Sequence, residues 1–271
     1  MNVIIEELEG IARKVRQNII KMIGTNKTGH LGGGCSIVEM LVALYFYKIR
    51  HDPKDPMMKE RDRVVLSKGH AAIAHYATLA EAGYFPKEEI NNFKKLGCIL
   101  QGHPDIKVPG VEANTGSLGQ GLSIACGIAA GLKMDKIDAR VYCIMGDGEV
   151  AEGQIWEAAV TASFYKLDNL RGIIDKNGFQ ASGRIEECFN TNPLREKWEA
   201  FGWHVLEVDG HDIRQIIEVL DKADEVKGKP VLIIAHTVKG KGISFAENKA
   251  TFHHAKLEEE EYAIALKELN E

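Results

Sequence analysis

Two apolar runs, each ending in a turn that carries an oxygen donor, constrain this chain more than any other feature. From Arg140 to Phe179 the sequence reads RVYCIMGDGEVAEGQIWEAAVTASFYKLDNLRGIIDKNGF. The run from Val141 to Met145 stops at Gly146-Asp147-Gly148, and a second run stops at Asn177-Gly178, with a helix-length segment between them. Short apolar runs bounded by turn residues predict buried parallel strands. Ligands in open α/β sheets collect beyond the carboxyl ends of such strands, so Asp147 and Asn177 are expected to face one crevice. A carboxylate and an amide oxygen are hard donors, suited to Mg²⁺ or Ca²⁺ and not to zinc.

The same residues can be read as a dinucleotide fingerprint, Gly146-x-Gly148-x-x-Ala151, with Asp168 about 20 residues past Gly148. That reading has a defect, because Asp147 would set a carboxylate where the fingerprint brings backbone against a pyrophosphate. A divalent cation bridging carboxylate and diphosphate removes the conflict. Gly-Asp-Gly alone is also compatible with a tight turn that binds nothing. Asn177-Gly178 at the end of the next run favours the metal–diphosphate reading.

Gly146-Asp147-Gly148 followed at this distance by Asn177 resembles the thiamine diphosphate motif. Thr28-Gly29-His30-Leu31-Gly32-Gly33, Leu66-Ser67-Lys68-Gly69-His70, Gly102-His103-Pro104, Thr115 to Leu122 and Thr237-Val238-Lys239-Gly240-Lys241-Gly242 resemble transketolase segments, in the family's order. The resemblance runs from about residue 5 to about residue 260 and matches only the first domain of that family. The 271 residues suit one large α/β domain and are too few for three. The expectation is therefore a single diphosphate-binding domain, residues 1–271, forming the N-terminal subunit of a split transketolase. The remaining domains would lie on a separate chain, in a heterotetramer.

The resemblance implies thiamine diphosphate with Mg²⁺ (or Ca²⁺) as cofactors, and transfer of a two-carbon ketol unit from a ketose phosphate to an aldose phosphate. It implies Asp147, Asn177 and the backbone carbonyl of Phe179 as metal ligands. Gly116 and Leu118 would line the aminopyrimidine and thiazolium, Gly146 and Gly148 the diphosphate, and Glu152 an interchain carboxylate network. His30, His70, His103 and His253 would hydrogen-bond substrate hydroxyls and relay protons. Phe252-His253-His254-Ala255 departs from the family's His-Gly, so His254 competes with His253 for that place. The family's activating glutamate, aromatic ring pocket and phosphate-gripping arginines belong to its following domain and have no counterpart here.

Composition excludes several classes. A net charge of −5 and a pI near 6.1 give no electrostatic ground for nucleic-acid binding. No apolar run reaches membrane-spanning length and no signal-peptide layout opens the chain, which points to a cytoplasmic enzyme. The cysteines (Cys35, Cys98, Cys126, Cys143, Cys188) form no C-x-x-C pair, so reduced thiols are expected. Lys239-Gly240-Lys241-Gly242 fails the P-loop pattern, having Ala235 where a glycine is needed and Gly242 where a hydroxyl is needed; it reads as a flexible basic loop. His51, His75, His204, His211 and His236 read as structural.

Alternating patterns give the fold class: α/β, a mainly parallel sheet with helices on both faces. Helices are expected over about Ile4 to Met22, Ser36 to Tyr47, the alanine-rich stretch to about Ala82, Gly119 to Leu132 and Asp212 to Ala223. Strands are expected at Val64 to Leu66, His204 to Val208 and Val231 to Ala235, besides the two runs above. Gly119 to Leu132 is apolar on nearly all sides, which predicts burial beneath the sheet or at a subunit contact. Glu258 to Glu261 reads as the dipole-compensating first turn of a terminal helix. Other readings are a thiamine enzyme acting on another ketose, a 1-deoxyxylulose-5-phosphate synthase-like activity, a non-catalytic module of this fold, and, against Asp147, a dehydrogenase.

Overall fold

In a computed structural model, residues 2–270 are described, and the sheet they form has five strands, all parallel, in the order β1-β2-β3-β5-β4. The strands are β1 (Arg63–Leu66), β2 (Val141–Gly146), β3 (Leu170–Lys176), β4 (His204–Asp209) and β5 (Val231–His236). Because strand side chains alternate between faces, β2 sends Val141, Cys143 and Met145 to one core and Tyr142 and Ile144 to the other. On the first face lie α5 (Gln120–Met134), α6 (Gly153–Phe164) and α8 (Leu194–Ala200), the short α7 (Ile185–Cys188) falling in the connection between β3 and α8. The second carries α1 (Asn2–Ile23), α3 (Val38–Ala43), α4 (Ala72–Ala82) and α9 (Ile213–Glu225). The expected fold class is what the chain adopts.

Helix α9 shows how local sequence decides an element. Asp212 caps it by accepting from the Gln215 N–H at 3.0 Å. Ile213, Ile216, Ile217 and Leu220, at i, i+3, i+4 and i+7, are all buried against the sheet. Each such side chain stabilises the packed state by about 1.5–3 kcal/mol relative to exposure. The C-terminal α10 (Glu259–Glu268) opens with reciprocal bonds between Glu258 and Glu261, so the acidic run is a capping box as well as a dipole match.

Two helix expectations hold in part. The helix expected over Ser36 to Tyr47 starts after a turn at Ser36-Ile37: α3 runs directly into a wide π turn over Leu44–Lys48, closed by Ile49 N–H to the Leu44 carbonyl at 2.9 Å, and a separate short α2 (Leu31–Cys35) precedes it. The Ser36 hydroxyl donates to Asp175 Oδ2 at 2.7 Å, which holds the α2–α3 junction against the end of β3. Helix α5 packs on the sheet along one side only. Leu122, Ala125 and Ala129 are buried, while Gly127 and Met134 are exposed on its outer flank. Among the described residues no helix is long and apolar enough to cross a membrane.

Candidate functional site

The carboxyl ends of β1, β2, β3 and β5 open on one cavity of about 420 Å³. Every residue expected from the sequence to serve the site lines it, although they come from segments as distant as His30 and His253. Gly146 ends β2 and Asp147 and Gly148 form the turn after it; Asn177 and Phe179 follow β3; Gly116 and Leu118 lie in the loop before α5; Glu152 precedes α6.

The Asp147 carboxylate is held by two backbone donors. Its Oδ2 accepts from Gly178 N–H at 2.6 Å and its Oδ1 from Gly148 N–H at 2.9 Å. Asn177 is fixed on both sides, donating to Asp175 Oδ2 at 2.8 Å and accepting from Phe179 N–H at 3.1 Å. Burial, and then the charge of Asp175, pushes the Asp147 carboxyl up to about 7. A desolvated carboxylate of this kind is short of positive charge, which a cation supplies. Among the described residues no three His, Cys, Asp or Glu side chains converge as a metal cluster. The donor set (one carboxylate, one amide, one carbonyl) thus fits a hard cation that takes its remaining oxygens from a ligand.

Beneath these donors sits a buried ion pair that local sequence did not reveal. Asp175 accepts from Lys68, Thr237 and Ser36 as well as Asn177, and its side chain is wholly buried. Burial would raise its carboxyl, but the adjoining Lys68 charge together with the hydrogen bonds from Lys68, Thr237 and Ser36 outweighs this and holds it below the usual carboxylate range. Glu149, also buried, accepts from Gly119 N–H at 2.9 Å, Gly146 N–H at 3.0 Å and the Ser67 hydroxyl, joining three cavity segments. Lys239 is 1% exposed, so Lys239 to Gly242 is not the flexible loop expected. Its stem passes Gly32, where a Cβ would meet Lys239 Cγ at 2.9 Å. Burial, then Lys68, lowers its ammonium to about 8.

The glycines admit both backbone and ligand. A Cβ on Gly69 would fall 2.6 Å from Gly116 N, so only glycine lets the turn after β1 meet the 115–116 segment. Gly116, at φ +139°, faces the His103 ring in the same way. A Cβ on Gly146 would meet nothing closer than 3.8 Å, leaving the cavity floor open beside Asp147.

Four histidines form the opposite wall. Ring centroids of His30 lie 5.4 Å from His70, 5.9 Å from His103 and 5.4 Å from His253; His70 and His253 are 5.0 Å apart. Burial lowers His30 to about 3 and His253 to about 4, with neighbouring cations or imidazoles adding to the effect. His70 and His103 are lowered for the same reasons. The wall is therefore uncharged at neutral pH. Lys239 Nζ donates to His253 Nδ1 at 2.9 Å, which leaves the His253 proton on Nε2. The His254 ring lies tilted against His30 at 4.5 Å but is exposed, and His253 is the one that lines the cavity.

Asp168, the acid the dinucleotide reading requires, precedes β3 at the opposite end of the strands, paired with Lys133 at 2.6 Å. The fingerprint reading fails on that placement. Sequence reasoning missed Asp175, Glu149 and the burial of Lys68 and Lys239. One signal was available for Asp175: a charged residue inside an apolar strand run must find a partner.

Residues 9–270 match the family model described as "Transketolase, thiamine diphosphate binding domain". The chain is 45% identical to an apulose-4-phosphate transketolase subunit of Phocaeicola vulgatus, over 98% of this chain and 95% of that one. It is 44% identical to the 6-deoxy-6-sulfo-D-fructose transketolase subunit SqwG of a Clostridium species, over 97% and 96%. Its fold superposes on the transketolase of Campylobacter jejuni with a TM-score of 0.93 and 35% identity. That match covers 98% of this chain and 43% of the other, so the chain spans about two fifths of such full-length proteins.

Proposed function

The chain belongs to the transketolase family, as its thiamine diphosphate-binding N-terminal part, and on that premise we propose that it works as one subunit of a two-chain transketolase. With a partner chain supplying the remaining domains, in a heterotetramer, it would move a two-carbon ketol unit from a ketose phosphate to an aldose phosphate. The observation that carries this reading is the desolvated Asp147 carboxylate beside Asn177, above the open floor at Gly146 and facing a neutral histidine wall.

Thiamine diphosphate, when bound, supplies the carbanion chemistry and electron sink that side chains lack. The chain's own residues do the rest. Asp147, Asn177 and the Phe179 carbonyl would hold Mg²⁺, or Ca²⁺ in its place, against the diphosphate. Lys239 carries positive charge to the same end of the cavity, where desolvation strengthens its attraction for an anion. Gly116 and Leu118 would lie along the cofactor's rings. Leu118, 36% exposed at the cavity mouth, is an apolar surface available to a ring or a partner chain.

Among the described residues the ring nitrogens of His30, His70 and His103 have no protein hydrogen-bond partner. A neutral imidazole offers one N–H and one lone pair, so each can bind a sugar hydroxyl and exchange its proton. Glu152 is exposed at the start of α6, where it can reach a second chain. Two relatives are named for different ketoses, apulose 4-phosphate and 6-deoxy-6-sulfo-fructose.

The test is reconstitution. The purified chain should show no ketol transfer, and transfer should appear on adding the partner chain with thiamine diphosphate and Mg²⁺. Turnover by the isolated chain would refute the shared site.

A further inference from the structure

Behind the cavity wall, three side chains from separate elements converge on the loop that carries Lys239. Arg16 of α1 and Glu39 of α3 are paired and buried, with Arg16 NH1 2.6 Å from Glu39 Oε1 and NH2 2.7 Å from Oε2. His211, in the turn between β4 and α9, has its Nδ1 3.0 Å from the same Oε2, and its Nε2 accepts from Val238 N–H at 2.8 Å. Since Nε2 accepts, the ring proton sits on Nδ1 and is donated to Glu39. Burial alone would push the Glu39 carboxyl up, but Arg16 and the His211 bond outweigh it and hold it at about 2. The acceptor that fixes His211 is thus a permanent carboxylate. Arg16 Nε also donates to the Lys241 carbonyl at 2.9 Å, on the other side of Lys239.

We propose that His211 is a positioning residue: held by Glu39 and Arg16, it sets the backbone at Val238 so that the next residue, Lys239, is delivered to the diphosphate end of the cavity and to His253. The backbone on either side is tied elsewhere: Thr237 bonds Asp175 and the Lys176 carbonyl, Gly240 N–H bonds the Gly32 carbonyl at 2.9 Å, the Lys239 carbonyl accepts from Asn248 N–H at 2.9 Å and the Val238 carbonyl from Lys241 N–H at 3.2 Å, whereas Val238 N–H has the His211 ring as its partner. Without that acceptor a donor facing the interior is left unsatisfied, and the loop relieves it by turning. The Lys239 ammonium, threaded past Gly32, then shifts from its place beside His253. A histidine that merely filled space would need neither nitrogen, whereas here both are engaged and their order fixes the tautomer.

The inference rests on the reading that the cavity holds thiamine diphosphate, and the experiment separates the two. Calorimetric titration of the reconstituted complex with thiamine diphosphate in Mg²⁺ is run on the wild type, His211→Phe, His211→Gln and His211→Asn, with melting temperatures alongside. His211→Phe should weaken cofactor binding about tenfold, the cost of one unmet buried hydrogen bond. Gln sets its carbonyl where Nε2 was and can accept from Val238, so it should recover most of the affinity. Asn can reach Glu39 but not Val238, and should not. In a Lys239→Ala background the Phe and Gln variants should bind alike, because the residue being positioned is gone. Equal affinity in all three single variants would overturn the inference, as would a Phe-to-Gln difference that stays tenfold in the Lys239→Ala background. A wild-type complex that bound no thiamine diphosphate would overturn the underlying reading instead.

Discussion

Replacing Asp147 by Asn should make the cofactor-free chain more stable while weakening its hold on the cofactor. In the fold the Asp147 carboxyl is pushed from 3.8 to about 7 by burial and by Asp175. A group whose folded pKa is raised gives its full stabilisation below the unfolded value and loses it as pH rises through the folded one. Over about three pH units, at about 1.4 kcal/mol each, ionised Asp147 costs the apo fold about 4 kcal/mol above pH 7. Asn removes the charge but can accept only one of the two hydrogen bonds, from Gly148 or Gly178. Leaving the other donor unmet costs about 1–3 kcal/mol. The net gain is about 2 kcal/mol at pH 8, or about 4–8 °C in melting temperature for a chain of this size. The assay is thermal unfolding of both chains without cofactor, in chelator, from pH 4 to pH 8. The gap should be widest at pH 8 and close or reverse near pH 4, where Asp147 is protonated in both states. A variant less stable than wild type at pH 8 would refute the claim that this carboxylate is held short of positive charge.

Other outcomes follow from the same geometry. His103→Ala should leave thiamine diphosphate affinity nearly intact and lower the transfer rate roughly 10²–10⁴-fold, the range for a positioned acid–base group; lost melting temperature with normal turnover would remove His103 from the reaction. Lys68→Met strands the buried Asp175 carboxylate and should cost about 3–5 kcal/mol in denaturant unfolding, with Asp175→Asn in the same chain restoring much of it. Because a proton competes with the cation for Asp147, Mg²⁺ affinity should fall towards tenfold per unit as pH drops below about 7, and measured affinity flat with pH would contradict that placement.

How far the sequence reached depended on range. The strand ends, the Asp147 turn and Asn177 were legible because a strand's length and its closing turn are local properties. The four histidines were legible only through resemblance: nothing local ties His30 to His253, and their meeting depends on α2, the turn after β1 and the turn before α10 folding onto one edge. The Lys68–Asp175 pair joins two strand ends through space, and spacing carries no trace of it. Lys239 looked mobile because a Lys-Gly-Lys-Gly run usually is; its burial comes from α2, where Gly32 leaves a channel for the stem. Helix α5 was legible only in part because small residues on every side give no amphipathic stripe, so pattern could not show which flank the sheet would leave open. His211 looked structural for a related reason, since its role lies in partners drawn from α3 and the loop after β5.

The most direct test of the metal–diphosphate site is calorimetric titration of the complex with thiamine diphosphate at stepped Mg²⁺ concentrations, from chelator upward. If Asp147 and Asn177 hold a cation that bridges to the diphosphate, cofactor affinity should rise about tenfold per tenfold of Mg²⁺ until the site fills, and Asn177→Ala should shift that rise to higher Mg²⁺. Undiminished binding of thiamine diphosphate in chelator would contradict the account.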